Sequence, residues 1–357
     1  MRGVINKVMR RLRVLFIGKN TRFTFDPLFA VSKFHDIVGL VESDHSRHYD
    51  KEQKQSLKND FTIYLRRVFR KPSLKSISVA WKIPIFFLSK ESETDLLHFV
   101  KQVNPDIICV ASMSRLLKRE IFSFPKYGAV NLHPSLLPKY RGPMPYFWVL
   151  FNDEKVTGVT AHYINEDEDT GDIIAQSEFS IQFGETYKSV EQKIIDSMKT
   201  LITKVLNDIS EENIFRSPQP AASPTMRARK LKKGEQILEW QKWPIERAWH
   251  FLQGIYFLSD IIPLPSKYTP KYGPLDGWQI TVFEKSTSDI SKILDKDRKG
   301  WFLCHPEGRI YLRYEINLLN ILKHLIKQLF KAKSRITLGI AMIQTLLVED
   351  LHFYFGL

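Results

Sequence analysis

The chain has 357 residues, 43% of them hydrophobic and 26% charged, and a net charge of +14. That composition is that of a soluble globular protein, which excludes a chain disordered throughout, and the length exceeds what one core usually holds, so two domains are expected. Two distant cysteines, Cys109 and Cys304, with no CxxC pair, argue against a disulfide frame or a thiolate metal site, whereas the basic surplus suits a polyanionic partner or simply solubility.

The first twenty residues are basic, with no acid before Asp26, and the apolar run Val14 to Ile17 is too short for a secretory core segment. A cytoplasmic protein is expected. Arg13 to Gly18 reads as a buried parallel strand ending in a glycine turn, 26–36 as a helix and Ile37 to Val41 as a second strand. That order is the start of a doubly wound, Rossmann-like α/β sheet. A single glycine is far short of a dinucleotide fingerprint.

Residues 42–82 form a basic insertion in which Arg66, Arg67, Arg70 and Lys71 are interleaved with Tyr64, Phe69 and Trp81. Such a pattern fits RNA contact, and equally a solvated helix. A strand (Ile83 to Phe87), a helix (Asp95 to Val103) and a buried strand (Asp106 to Ala111) follow, the last running into Ser114-Arg115-Leu116-Leu117.

The richest stretch is 128–176. The strand Ala129 to Leu132 delivers Asn131 and His133 to the same side of a period-2 ladder. A Pro- and Gly-punctuated loop, Pro134 to Pro145, carries Lys139, Tyr140 and Arg141. A strand, Gly158 to Ile164, then leads to an acidic turn with Asp167, Asp169 and Asp172 around Gly171. An amide that donates to a developing oxyanion, an imidazole that moves a proton and a carboxylate that orients it are the parts of an acyl-transfer centre. His162, on the second strand, reads as a packed, hydrogen-bonded histidine.

Helical spacing over 186–207 (Val190, Ile194, Met198, Leu201, Val205) gives an apolar face for the sheet. The run Ser217 to Pro224 has linker composition, so 12–207 is read as a catalytic domain, 208–228 as a linker and 229–357 as a second domain. Beyond it, Pro244 to Gly254 reads as a helix, and Gly277 to Phe283 and Gly308 to Tyr314 as strands of a small β-barrel-like fold. From Leu318 the spacing is helical, with Lys323, Lys327 and Lys331 opposite the apolar face. The run Ile336 to Val348 is too short to span a bilayer, so no stable membrane association is expected.

Asn131-x-His133, the loop Ser135-Leu136-Leu137-Pro138-Lys139-Tyr140-Arg141-Gly142 and Asp169-Thr170-Gly171-Asp172, in this order, resemble the core of the 10-formyltetrahydrofolate-dependent formyltransferases. Members of that family act on methionyl-tRNA, amino sugars or glycinamide ribonucleotide. The resemblance implies catalytic roles for Asn131, His133 and Asp169, with no metal. It places Ser114, Arg115, Leu116, Leu117, Ser135, Leu136, Leu137, Pro138, Asn165 and Asp167 around the folate co-substrate. Lys139, Tyr140, Arg141, Arg66, Arg67, Arg70 and Lys71 become candidates for binding the acceptor. The segment Arg227 to Trp240 resembles the stretch that joins two domains in the tRNA and amino-sugar enzymes, which disfavours the single-domain glycinamide ribonucleotide members. A tRNA acceptor is favoured by charge and by the basic insertion. A nucleotide-linked amino sugar is the alternative, favoured by the loop Pro143 to Trp148 and by His162; a folate-binding protein without turnover is a third reading.

Overall fold

Short apolar runs rich in β-branched residues, each ended by a polar or glycine turn, set the first sheet. The computed structural model describes residues 10–43, 73–88, 93–113, 115–232, 242–255, 278–287 and 291–314. Elements are numbered among these residues. Strand β1 (Arg13–Gly18) pairs in parallel with β2 (Asp36–Glu42) and β4 (Ile107–Ala111), β2 with β3 (Ile85–Phe87), and β4 with β5 (Ala129–His133). Strands β6 (Val156–Tyr163) and β7 (Ile173–Ser180) continue the sheet antiparallel, giving the order β3-β2-β1-β4-β5-β6-β7. The direction of winding reverses between β1 and β4. A crevice opens outside the strand carboxyl ends at such a switch point, and it is where ligands bind in open α/β sheets.

Pleating divides the apolar residues between two faces. Leu15, Ile17, Val41, Ile108, Val110 and Ala129 meet α3 (Glu93–Val103), through Leu96, Phe99, Val100 and Val103, and α4 (Arg119–Phe122), through Ile121 and Phe122. On another side α1 (Arg22–Ser32) packs on α6 (Tyr187–Ser210), which also packs on β6 and β7. Helix α6 buries Val190, Ile194, Met198, Leu201, Val205 and Ile209 at the three-and-four spacing of one helical face. Thr186 caps it, its hydroxyl accepting from the Ser189 N–H. Helix α2 (Leu74–Trp81) begins in a capping box between Ser73 and Ser76.

Two local expectations are revised, and one strand had no sequence reading. Helix α1 starts at Arg22 rather than 26, because Thr21 already holds an extended N-cap geometry and Pro27 is accommodated inside the helix. Pro145 to Trp148, read from sequence as loop, begin helix α5 (Pro145–Phe151), with proline in its first turn, where no N–H is required. Strand β7 has a half-exposed edge pattern and no apolar run to announce it.

The chain divides into two compact units: the first runs to Glu235 and adds His250–Tyr256, and the second comprises Gln236–Trp249 and the chain from Phe257. In the second, β8 (Trp278–Lys285), β9 (Leu294–Asp297), β10 (Gly300–His305) and β11 (Gly308–Tyr314) form an antiparallel sheet in the order β8-β11-β10-β9. Asp297 Oδ1 turns the β9–β10 hairpin by accepting the N–H groups of Lys299 (2.8 Å) and Gly300 (3.2 Å). Helix α7 spans Ile245–Gln253. Among the described residues no helix is long and apolar enough to cross a membrane. The basic residues Arg66, Arg67, Arg70 and Lys71 and the helical pattern after Leu318 lie outside the described residues.

Candidate active site

Asn131 and His133 stand two residues apart on β5, so the pleat sends both side chains to one side. The antiparallel register with β6 seats His162 opposite Asn131 and Thr160 opposite His133. Asp169 arrives from the turn after β6, in a left-handed backbone conformation (φ 55°) that a non-glycine residue adopts at a cost. The turn is tied by Thr170 Oγ1, which donates to Asn165 Oδ1 at 2.9 Å. It also needs Gly171, where any Cβ would collide with the Tyr163 carbonyl.

The hydrogen bonds assign the protons. His133 Nε2 lies 2.9 Å from the Tyr140 carbonyl, which only accepts, so Nε2 carries the hydrogen and Nδ1 is the basic atom. Nδ1 faces Asp169 Oδ2 at 3.4 Å. By the same reasoning His162 donates from Nδ1 to the Tyr163 carbonyl (2.8 Å), leaving Nε2 to accept from Asn131 Nδ2 at 3.1 Å. The second N–H of that amide points at Asp169 Oδ1, 3.4 Å away. Gly142 donates its backbone N–H to Asp169 Oδ2 at 2.9 Å from a backbone with φ 120°, tight against Ala228.

Burial pulls the His133 imidazole below its ordinary value, and the neighbouring His162 adds to this, while the charge of Asp169 partly offsets it. Burial opposes ionisation of Asp169, yet the attraction of His133, the contact with His162 and the Gly142 N–H hold its carboxyl far below the usual range. The Gly142 and Asn131 N–H groups favour the carboxylate without any imidazolium. The resting pair at neutral pH is therefore a neutral imidazole beside a carboxylate. It can take one proton at Nδ1 and hold it against Asp169.

These groups lie on the wall of a cavity of about 560 Å³ at the carboxyl end of the parallel strands. Its apolar side is Val110, Met113, Leu116, Leu117 and Ile164; Asp167, Glu168 and Asn165 line it from the turn; Arg115, Arg227, Arg229 and Lys230 add positive charge. A cavity of this size with one apolar side and a rim of polar and charged groups suits a small organic ligand that carries both apolar and polar parts. Arg227 grips Glu168 with a two-pronged ion pair, Nε to Oε2 at 2.5 Å and Nη2 to Oε1 at 2.8 Å.

Of the residues expected around the folate, Arg115, Leu116, Leu117, Asn165 and Asp167 line this cavity, and Ser114 lies outside the described residues. Ser135, Leu136, Leu137 and Pro138 do not line it. The structure uses them to fasten the loop: Ser135 Oγ donates to the Lys139 carbonyl (2.8 Å), Leu137 N–H to Thr160 Oγ1 (3.0 Å), and the Leu137 carbonyl accepts from Gln176 Nε2 (2.8 Å). Leu136 packs over Gly158, and the Pro138 carbonyl accepts from Ser223 Oγ (2.8 Å).

The acceptor candidates on this loop are likewise engaged elsewhere. Lys139 pairs with Glu154 at 3.3 Å, and the Tyr140 hydroxyl donates to Glu154 Oε1 at 2.8 Å. Arg141 is buried, its guanidinium spent on the Gln219 side chain and the carbonyls of Pro220 and Ala221. Lone loop cations read from sequence as ligand anchors because their partners are far along the chain.

The sequence reading left out one polar contributor, Gln219, and the bracing role of another, His162. His162 is packed as expected but also braces Asn131. Gln219 comes from the run with linker composition, which lies within the first unit and is fastened to it: Ser217 bridges Ile173, Thr225 Oγ1 accepts the Tyr140 N–H (2.7 Å), and Ala228 exchanges backbone bonds with Arg141 (2.7 Å) and Met144 (2.9 Å).

The formyl transferase family model matches residues 32–206. A methionyl-tRNA formyltransferase of Clostridioides difficile is 30% identical over 263 residues, covering 73% of this chain and 82% of that protein. Another from Thermotoga maritima is 33% identical over 245 residues, or 66% and 74% of the two chains. Among solved structures, an N-formyltransferase of Helicobacter canadensis, in complex with folinic acid and dTDP-3-aminofucose, has a TM-score of 0.57 at 18% identity, covering 85% of this chain and 99% of that one. That last likeness is one of fold.

Proposed function

The chain belongs to the formyl transferase family, and from that premise we propose that it moves the formyl group of 10-formyltetrahydrofolate to the amino group of methionyl-tRNA. One observation carries the reading: Asn131, His133 and Asp169 converge on the wall of a cavity at the switch point of the sheet. The folate supplies a formyl carbon attached to a nitrogen that can leave. The rest of the chemistry is done by this chain. Asn131 Nδ2 donates to the formyl oxygen as negative charge develops there. His133 Nδ1 takes the proton that the attacking amine sheds and returns it to the departing folate nitrogen, so a new carbon–nitrogen bond forms as the old one breaks. Asp169 holds the imidazolium between these two steps. Met113, Leu116, Leu117 and Ile164 give the pterin an apolar surface.

The tRNA acceptor is supported by the relatives of this name, by the net charge of +14 and by Arg229 and Lys230 on the cavity wall. Such an enzyme works in the cytoplasm, where the buried thiols of Cys109 and Cys304 stay reduced. The acceptor is tested by salt. A protein that neutralises several RNA phosphates should lose kcat/KM on the order of 10²-fold between about 50 and 200 mM salt, whereas a sugar nucleotide engages about two phosphates and gives a shallower slope. Turnover of a nucleotide-linked amino sugar in place of charged tRNA would replace the proposed acceptor.

A further inference from the structure

We propose that Gln219 is a positioning residue for the reaction, acting with Arg141 to hold Asp169 under His133. The inference rests on the reading of Asp169 given above.

Gln219 uses both ends of its amide. Oε1 accepts from Arg141 Nε (3.2 Å) and Nη2 (3.0 Å). Nε2 donates to the carbonyls of Asp169 (3.0 Å) and Gly171 (2.7 Å). Those two carbonyls flank the turn in which Asp169 holds φ 55°, a conformation that persists only when its surroundings over-determine it. Arg141 adds two bonds, to the carbonyls of Pro220 (2.8 Å) and Ala221 (3.1 Å), so the glutamine is itself fixed at its backbone. The chain of contacts runs from Arg141 through the Gln219 amide to the Asp169 backbone, and its carboxylate receives the next residue's N–H, that of Gly142. The loop after β5 and the turn after β6 are thus locked to each other at two points, one on the backbone of Asp169 and one on its side chain. A carboxylate shifted by an ångström would leave His133 Nδ1 without its counter-charge, and displacements of that size cost on the order of 10²-fold in rate.

Other groups face the same imidazole: His162 from β6, the Tyr140 carbonyl from the loop, and Glu168 on the turn, the last held by Arg227. Gln219 reaches His133 from two sides: its Nε2 holds the Asp169 backbone, and its Oε1 holds Arg141, the residue after the Tyr140 carbonyl.

The substitution Gln219→Glu separates the two ends. It is isosteric and still accepts from Arg141, but its second oxygen faces two carbonyls and repels them. The expected result has two readouts. An NMR titration of the His133 ring should move to lower pH in Q219E, because the carboxylate that favours the imidazolium is displaced. In formyl transfer, kcat should fall on the order of 10²-fold with the KM for the folate within about twofold. Ser223→Ala removes a bond of the same segment to the Pro138 carbonyl and should change neither readout. If Q219E does not fold, Gln219→Met removes both ends of the amide without added charge and should lower kcat and shift the His133 titration in the same direction. An unchanged His133 titration with kcat within about twofold of wild type would overturn the inference. A wild-type protein that transfers no formyl group would defeat the reading it rests on, while the titration would still decide the role of Gln219.

Discussion

The His133→Ala protein is expected to lose about 10²–10⁴-fold in kcat/KM while still binding the folate, because general acid–base transfer is removed and the apolar wall is not. The argument starts from a tautomer. The Tyr140 carbonyl at 2.9 Å fixes the hydrogen on Nε2, which leaves Nδ1 as the proton acceptor and sets it against Asp169 at 3.4 Å. Burial lowers the imidazole below its ordinary 6.5, so the competent, neutral form prevails at pH 7. The sign follows: kcat/KM of the wild type should carry an acid limb lying below 6.5 that belongs to His133, separate from the higher limb of the attacking amine. That limb should be absent from the alanine variant. An alanine variant within a few fold of wild type, or one keeping the same acid limb, would assign the proton transfer to another group.

Asn131→Ala is expected to cost about 10²–10³-fold in kcat, the range found when one donor to a developing oxyanion is removed. Asn131 is placed by register rather than by a flexible loop: β6 sets His162 across from it, and His162 Nε2 accepts one amide hydrogen at 3.1 Å. That bond fixes the plane of the amide and leaves the second hydrogen aimed into the site, resting 3.4 Å from Asp169. An oxyanion is a better acceptor at that point than a distant carboxylate already served by Gly142. Since the interaction strengthens only as charge develops, kcat should fall and KM should hardly move, which steady-state kinetics on the folded variant would read. A rise in KM at constant kcat would instead make Asn131 a binding group.

Much of this was legible in the residues. The alternation Ala129 to His133 and the acidic turn Asp167 to Asp172 pointed to the candidate groups because period-2 strands and glycine-bearing turns are local devices, and the family resemblance singled out Asp169 among the three carboxylates. The apolar runs of β1, β2 and β4 and the helical face of α6 were visible for the same reason. What was not legible was long-range. The partners of Arg141 lie 78 to 80 residues further on. The partner segment is rich in proline and serine, a composition that reads as a linker and in the structure is fastened by side-chain bonds from Gln219, Ser223 and Thr225. The loop Ser135 to Pro138 carried a family pattern, and its hydrogen bonds, which anchor the backbone that presents Tyr140 and Gly142, run to distant segments that the pattern does not show. Helix α5 was hidden behind Pro143 and Pro145, where proline starts a helix as readily as it breaks one.

The most direct test is a single-turnover assay with 10-formyltetrahydrofolate labelled in the formyl carbon, purified full-length protein and charged initiator tRNA, followed by release of the amino acid. The proposed chemistry predicts label on the methionine amine with wild-type protein and almost none with Asn131→Ala or His133→Ala in the same time. Label appearing at an undiminished rate in both variants, or none with well-folded wild type that binds the folate, would contradict it.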